Sequence, residues 1–214
     1  PIDIRKIDNK IIGDCKVINN PNSIDYLLMS LDYVENKSLE TAFVIYSSKD
    51  IKRKSFAMIL GMYKYLMHGI DLLSQKKIVH FDLKSENLLF SNNKNLPLII
   101  DFGISIPLSK LNADTMKKYF YVYAPEYYVW PIEVHVICFL LHQTDGNLTM
   151  DNITTISTIF TTANEGLRFF SEDFRRRYLS SCIYQLKQYV DIDRNKVIDA
   201  LLKKCDTWDG YALS

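Results

Sequence analysis

Glycine, cysteine and net charge are all scarce in this chain of 214 residues. Its seven glycines form no G-x-G-x-x-G pattern, so the sequence contains no glycine-rich phosphate loop. The four cysteines are far apart and form no C-x-x-C pair, which argues against zinc ribbons and redox pairs and favours free thiols in a reducing compartment. A formal net charge of +1 provides no broad basic surface, so we expect neither a nucleic-acid nor a membrane partner.

Long hydrophobic runs are also lacking. The longest, Val134 to Leu141, is about eight residues, which is too short to cross a bilayer. No signal peptide is visible, and we expect a cytoplasmic protein. The chain begins with proline and stops without an obvious helix end, so we expect a piece truncated at both ends. Its abundant Lys, Asn, Ile and Tyr are typical of AT-rich genomes, including those of viruses and protists.

The hydrophobic pattern predicts a mainly helical chain with short strands. A helix over Asp50 to Gln75 has the strongest signal, because apolar residues recur at spacings of three and four along it. The predicted stripe contains Phe56, Leu60, Tyr63, Met67, Ile70 and Leu73. Further helices are predicted over Leu39 to Tyr46, Phe174 to Val190 and Asn195 to Cys205. Strands are predicted over Tyr26 to Val34, which Glu35 to Ser38 should end, and over Ile78–Val79, Leu88 to Phe90 and Leu98 to Ile100.

One short segment concentrates groups suited to phosphoryl transfer. The run from His80 to Asn87 reads H-F-D-L-K-S-E-N, and Asp101-Phe102-Gly103 follows after a predicted hairpin. Phosphoryl transfer needs a carboxylate to orient and deprotonate a hydroxyl, a cation near the moving phosphoryl group, and oxygen ligands for magnesium. Ala124-Pro125-Glu126 comes next along the chain.

These three motifs, in this order, resemble those of the eukaryotic-type Ser/Thr protein kinases. That family carries H-R-D-L-x-x-x-N, D-F-G and A-P-E. The resemblance implies an α+β fold class: a mainly α-helical, protein-kinase-like C-terminal lobe with short β-hairpins, and a small lobe that is largely missing. Residues 1–34 would be a remnant of small-lobe strands and hinge, and residues 35–214 the large lobe.

The resemblance also implies roles for individual residues. Asp82 would be the catalytic base, and Lys84 would contact the γ-phosphate of ATP. Asn87 and Asp101 would hold Mg²⁺ through oxygen atoms.

The adenine site implied by the resemblance lies mostly on the strand Tyr26 to Val34. Leu31 would be the gatekeeper, and the Asp32 carbonyl and Val34 N–H would face the adenine edge. Leu89 would form the floor beneath the ring, and Ile100 would line the back. The alternative for Tyr26 to Val34 is an ordinary edge strand.

The chain also departs from the family. No convincing V-A-I-K strand precedes the hinge, so the ATP-anchoring lysine is missing. Phe81 replaces the H-R-D arginine that pairs with a phosphorylated activation segment, and Tyr119 replaces a threonine. The aspartate expected soon after A-P-E is absent, and Glu133 is a candidate substitute.

Several structural expectations accompany this resemblance. His80 and Phe102 should be buried, and Glu126 should pair with a late arginine. His135 and His142 are seven positions apart, which places them on one face of a helix. We expect them to be neutral core histidines rather than metal ligands. The candidate partners of Glu126 are Arg168, Arg175, Arg176, Arg177 and Arg194.

The sequence therefore predicts a divergent Ser/Thr protein kinase, compatible with a large DNA virus as its source. It would use Mg²⁺ and ATP, act on a protein substrate, and take its small lobe from a missing segment or a separate chain. One alternative is a pseudokinase lobe that binds a partner without catalysis. A second alternative is a small-molecule kinase, which the D-F-G, Lys84 and A-P-E features disfavour.

Overall fold

The computed structural model describes residues 33–47 and 52–214. The chain divides into two compact units, residues 1–35 and 36–214, and the second contains nearly all of the described residues. None of the helices in the described ranges is long and apolar enough to span a membrane.

Short strands occupy the first half of the second unit. Strand β1 (Asn36–Ser38) pairs antiparallel with β3 (Leu88–Ser91), which pairs antiparallel with β4 (Leu96–Ile99). A second, two-stranded sheet joins β2 (Ile78–Val79) to β5 (Ile106–Pro107). The loop that contains Asp82 runs from β2 to β3, and the loop that contains Asp101 runs from β4 to β5. The two sheets therefore fix both ends of both loops.

Helices make up most of the remainder of the second unit. The α-helices are α1 (Leu39–Ser47), α2 (Lys52–Gln75), α3 (Met116–Tyr119), α4 (Ile132–His142), α5 (Met150–Ala163), α6 (Glu172–Leu186), α7 (Arg194–Leu202) and α8 (Trp208–Leu213). Short 3₁₀ turns lie at Ser85–Asn87, Leu108–Lys110, Glu165–Phe169, Lys187–Tyr189 and Cys205–Thr207.

Side-chain caps set where three of these helices begin. Thr149 forms a reciprocal capping box with Asn152 at the start of α5. Ser171 accepts from the Phe174 N–H at the start of α6, and Asp193 from the Lys196 N–H at the start of α7.

Two hydrophobic clusters hold between them the loop that contains Asp82, which is called the catalytic loop below after its counterpart in the family that the sequence resembles. Phe81 belongs to the larger cluster around α4, together with Trp130 and Trp208. Leu83 belongs to the smaller cluster formed by α1, α2 and β3. Because alternate loop residues are buried in different clusters, the backbone on both sides of Asp82 is fixed.

The predicted apolar stripe of α2 is largely wrong. Of its members, Phe56, Leu60, Tyr63 and Met67 are exposed, whereas Ile70 is buried. The buried side is instead formed by Met62, Leu66 and Ile70 at spacings of four. Two apolar stripes overlap on this helix, and the hydrophobic period alone does not determine which of them faces the core.

The segment before α1 also differs from the prediction. Asn36–Ser38, expected to end a strand, is itself a strand, because it can complete the edge of the hairpin beside Leu88–Ser91. Of the predicted strand Tyr26 to Val34, only Tyr33 and Val34 are described, and neither lies in a strand. The other predicted strands, and the helices beginning near Leu39, Asp50, Phe174 and Asn195, are present with small shifts in their ends.

Candidate active site

His80 connects the loop that contains Asp82 to the loop that contains Asp101. Its ring is fully buried, and Nε2 donates to the Ile100 carbonyl at 2.9 Å. Nδ1 accepts from the Asp82 N–H at 3.4 Å. Both contacts fit the neutral tautomer that carries its proton on Nε2. The Phe102 ring packs edge-on against His80, with 4.8 Å between ring centroids. Phe102 is nevertheless 47% exposed, so the expectation that it is buried is wrong.

The backbone at Phe81 is left-handed, with φ of 70°, and is held by two other segments. The N–H groups of His80 and Phe81 donate to the two carboxylate oxygens of Asp209 at 2.7 and 3.0 Å. The Trp130 indole N–H donates to the Phe81 carbonyl at 2.7 Å. Such a backbone conformation is costly for a bulky residue, and these three hydrogen bonds offset that cost. They fix the direction in which the next residue, Asp82, projects.

Asp82 receives side-chain donors on both carboxylate oxygens. Oδ2 accepts from Asn87 Nδ2 at 2.8 Å and lies 3.0 Å from Lys84 Nζ. Oδ1 accepts from the Tyr127 hydroxyl at 2.5 Å. Partial burial raises the pKa of Asp82, but the hydrogen bonds from Tyr127, Lys84 and Asn87 and the charge of Lys84 lower it to below its usual value. Asp82 is therefore a carboxylate at neutral pH, and its hydrogen bond raises the pKa of Lys84.

Asn87 and Asp101 are brought together by the backbone. The Ile100 N–H donates to the Asn87 carbonyl at 3.0 Å, directly before Asp101. The Asn87 amide nitrogen is bonded to the carbonyl and carboxylate of Asp82, so its amide oxygen is the atom suited to a metal. Asp101 has a left-handed backbone, with φ of 61°, and an exposed side chain.

An amide oxygen and a carboxylate match the ligand preference of Mg²⁺. This ion takes one or two protein carboxylates and fills its other positions with water and substrate phosphates. No cluster of three or more His, Cys, Asp or Glu residues suited to a metal occurs in residues 33–47 and 52–214. The donor set fits a metal shared with a phosphate better than a metal enclosed by protein.

The expected adenine-site residues are only partly described. Leu31 and Asp32 lie outside the described residues, and Val34 is half-buried. Leu89, also half-buried, pairs with Leu98 in the hairpin. Ile100 is half-buried and bonded through its backbone to His80 and Asn87.

Comparison with known proteins identifies the family. The family model for the protein kinase domain matches residues 6–130, more than half of the chain. The chain belongs to the protein kinase domain family.

Three similar kinases are longer proteins, and each matches less than half of this chain. The chain spans less than a third of the length of each of them. A probable serine/threonine-protein kinase of Dictyostelium discoideum is 34% identical over 90 residues, which cover 42% of the chain and 11% of that relative. A probable serine/threonine-protein kinase, the KIN1 homolog of Enterocytozoon bieneusi, is 31% identical over 102 residues, which cover 42% of the chain and 16% of that relative. Mitogen-activated protein kinase kinase 8 of Arabidopsis thaliana is 31% identical over 103 residues, which cover 48% of the chain and 29% of that relative. No solved structure gives a significant match.

Asp209 holds the backbone of the loop that contains Asp82, and the sequence alone did not predict this role. Glu133, the expected substitute, pairs instead with Lys204 Nζ at 3.6 Å. Asp209 is 129 positions from His80, whereas an aspartate was expected soon after A-P-E. The available signal was Asp209-Gly210-Tyr211-Ala212, in which an aspartate precedes an aromatic and a small residue. The aspartate that the family carries after A-P-E begins a helix with the similar pattern D-x-W-S. Burial raises the pKa of Asp209, although the two backbone N–H groups favour its carboxylate form.

The expected ion pair of Glu126 is also wrong. Glu126 is exposed and forms no salt bridge with any arginine among the described residues. Three of the five candidate arginines pair with other acids: Arg168 with Glu165, Arg177 with Asp173, and Arg194 with Asp145.

The two histidines of α4 have different environments. His135 is fully buried, and burial lowers its pKa to about 4, so its ring is neutral as expected. His142 is exposed, and its Nε2 donates to the Phe120 carbonyl at 2.5 Å. The expectation of a second core histidine is therefore wrong.

Proposed function

We propose that this chain is part of a Ser/Thr protein kinase that transfers the γ-phosphoryl group of Mg-ATP to a protein hydroxyl. The single observation that carries the proposal is the Asp82 carboxylate, oriented by Lys84 and Asn87 and connected through the Asn87–Ile100 backbone bond to Asp101. This is a base, a cation and two oxygen ligands in one place, as phosphoryl transfer requires.

Each residue has a distinct role in this proposal. Asp82 orients the acceptor hydroxyl and takes its proton. Lys84 stabilises the negative charge on the transferred group. Asn87 and Asp101 hold Mg²⁺, which, when bound, neutralises charge on the phosphates.

We propose that the hinge and two apolar residues of the large lobe each contribute to binding of the adenine ring. Leu31 would border the ring, and the backbone of Asp32 and Val34 would hydrogen-bond its edge. Leu89 would form the floor beneath the ring and Ile100 would line the back of the pocket; both residues are half-buried.

We further propose that residues 1–34 are a remnant of the small lobe and hinge, and that residues 35–214 are the large lobe. The sequence has neither a glycine-rich loop nor a strand lysine. The phosphate-covering part of the site would then come from elsewhere in the protein or from another chain. Cysteine usage suits a reducing compartment such as the cytoplasm.

A non-catalytic scaffold lobe is the second candidate, and the lack of a glycine-rich loop favours it. The distinction between the two depends on whether Asp82 supports turnover. A scaffold does not need the Asp82 carboxylate to accept a proton, whereas a kinase does.

The substitution Asp82→Asn tests the proposed function directly. We expect phosphate incorporation into a generic basic protein to fall by about 10²- to 10⁴-fold, because asparagine cannot accept the proton of the substrate hydroxyl. The measurement uses the protein at its full natural length with Mg-ATP. Asp199→Asn, at an exposed aspartate of α7, is the matched control and should retain the wild-type rate. Equal rates for the wild type and Asp82→Asn would reject the assignment.

A further inference from the structure

The Tyr127 hydroxyl occupies the free side of the catalytic carboxylate. Lys84 and Asn87 both bind Oδ2 of Asp82, and the Tyr127 hydroxyl donates to Oδ1 at 2.5 Å. A hydroxyl about to lose its proton must lie within hydrogen-bond distance of its base. The Tyr127 hydroxyl meets this requirement without any external substrate.

The position of the Tyr127 ring is fixed by the surrounding structure. The Tyr127 N–H donates to the Ala124 carbonyl at 2.9 Å, within the turn that contains A-P-E. Its ring packs edge-on against Trp130 with 5.1 Å between centroids, and Trp130 also holds the Phe81 carbonyl. The same tryptophan therefore supports both the base and the hydroxyl that faces it.

The hydroxyl is in its protonated form. Burial raises the pKa of Tyr127, and the hydrogen bond and negative charge of Asp82 raise it further. A phenol that donates its hydrogen bond to a carboxylate oxygen has the ground-state geometry for general-base catalysis.

We propose that Tyr127 is an internal acceptor, phosphorylated in cis by the site it faces. The inference rests on the proposed kinase function and adds a tyrosine of the same chain to its acceptors. In the transfer, Tyr127 Oη forms a bond to the γ-phosphorus of a bound nucleoside triphosphate, and the bond from that phosphorus to the β,γ-bridging oxygen breaks. The phenolic proton passes to Asp82 Oδ1, and the nucleoside diphosphate leaves.

The modification would also open the site. Unmodified Tyr127 occupies the position that an external hydroxyl must reach, so it competes with protein substrates. A phosphate on Tyr127 brings about two negative charges close to Asp82 and Glu86, the carboxylates whose charges already act on this hydroxyl. Repulsion then favours release of the ring and exposes Oδ1 to substrate.

The experiment compares four forms of the protein at full natural length: wild type, Tyr127→Phe, Tyr128→Phe and Asp82→Asn. Each is incubated with Mg-ATP, with and without a generic basic protein, and phosphotyrosine is located by mass spectrometry. Tyr128 is the matched control, because its hydroxyl donates to Glu165 rather than to Asp82. Fractional labelling of position 127 is followed over a tenfold dilution to separate transfer within one chain from transfer between chains.

We expect phosphate on Tyr127 in wild type and Tyr128→Phe, none in Asp82→Asn, and a labelling rate that dilution does not change. Tyr127→Phe, which retains the ring but loses the competing hydroxyl, should label the basic protein initially about fivefold faster than unmodified wild type.

Three results would overturn the inference. Labelling of the basic protein with no phosphate on Tyr127 rejects it and leaves the proposed kinase function intact; if Tyr127→Phe is then slower than wild type, Tyr127 positions Asp82 instead. A rate of Tyr127 labelling that falls in proportion to dilution contradicts transfer in cis. No labelling of either acceptor rejects the proposed function and this inference together.

Discussion

At the scale of single residues, Phe81 has the most direct consequence for regulation. Its side chain is 3% exposed, stacks on Trp130 with 4.7 Å between centroids, and packs edge-on against Phe120 at 5.6 Å. An arginine at this position could receive a phosphate, but a buried phenylalanine cannot. Packing of aromatic rings therefore replaces a charge-dependent contact between the catalytic loop and the residues around A-P-E.

We predict that activity does not depend on phosphoserine or phosphothreonine in the activation segment. Treating the full-length protein with a Ser/Thr-specific phosphatase should change its rate by less than about threefold, because a phosphate on Ser109 or Thr115 lacks an arginine at position 81. Lys117 and Lys118 provide only an exposed alternative, worth about 1 kcal/mol or less. The readout is phosphate incorporation into a basic protein before and after treatment.

Alanine substitution at Ser105 is not a clean substitute for this treatment, because the Ser105 hydroxyl donates to the His80 carbonyl at 3.2 Å. Ser109→Ala, at an exposed position, is the better companion variant. A loss of activity beyond about tenfold that rephosphorylation restores would show that a charge switch operates after all.

His135 provides a prediction for stability. Burial lowers its pKa from 6.5 to about 4 in the folded protein. Between these values the unfolded chain binds a proton that the folded chain does not, so the free energy of unfolding falls as pH drops from 6.5 towards 4. The contribution of this residue is at most about 3 kcal/mol.

We expect His135→Phe to reduce this loss of stability in acid. The measurement is urea denaturation of both proteins at pH 7 and pH 4.5, and the quantity compared is the change in unfolding free energy between the two pH values. Comparing the changes cancels contributions from other groups, including Asp209, whose raised pKa acts in the opposite direction. His68→Phe, at an exposed position on α2, should retain the wild-type change. An identical pH dependence in wild type and His135→Phe would contradict the prediction.

At the scale of elements, α8 contacts the catalytic loop through Asp209. The Asp209 side chain in α8 accepts the only hydrogen bonds found for the His80 and Phe81 N–H groups in the part of the chain that the structure describes. We predict that Asp209→Asn costs about 1–3 kcal/mol of unfolding free energy, because one carboxylate oxygen becomes an NH₂ group facing a buried N–H.

The same substitution should lower kcat more than it changes KM for ATP, since it misplaces Asp82 without contacting a nucleotide. Chemical denaturation and steady-state kinetics measure the two effects. Asp206→Asn, at the exposed aspartate in the preceding 3₁₀ turn, is the control. Wild-type kcat in a stably folded Asp209→Asn protein would show that α8 does not position the loop.

The sequence predicted some elements well and others poorly, for physical reasons. The hairpin of β3 and β4 was predictable because apolar strands flank a turn-forming segment, and its ends agree closely. The exposed side of α2 was not predictable, because the two apolar stripes of this helix have the same period and only tertiary packing distinguishes them. Strand β1 forms because a neighbouring edge is available, which the local sequence Asn36-Lys37-Ser38 does not indicate.

The candidate site shows the same division. Asp82, Lys84, Asn87 and Asp101 were predicted as site residues because they lie close together in sequence at the spacings of the family motifs. Lys84 and Asn87 contact Asp82 in the structure, and their roles stay a prediction. Tyr127 and Asp209 were missed because their contacts with the loop span 45 and 128 or more positions, and no local pattern encodes such contacts.

At the scale of the whole molecule, the described part of the chain holds only one side of the proposed nucleotide site. The catalytic loop, the Asp101 loop, Leu89 and Ile100 all lie in the unit formed by residues 36–214. The sequence contains no glycine-rich loop or strand lysine to cover the phosphates. Under the proposed function, we therefore expect this chain alone to bind a nucleotide weakly, because it lacks those two contacts with the phosphates.

We predict that the chain of 214 residues alone binds Mg-ATP with a dissociation constant of about 1 mM or weaker, equivalent to a free energy of only about −4 kcal/mol. Calorimetric titration with ATP in excess Mg²⁺ measures this value. Asp101→Asn should weaken the binding further if the metal is shared between this carboxylate and the phosphates, whereas Asp114→Asn, at an exposed aspartate beyond the D-F-G motif, should not. Micromolar affinity would mean that residues 1–25 form a working cover for the phosphates. The chain would then need no small lobe from another source, and the proposed dependence on a missing segment or a separate chain would be wrong.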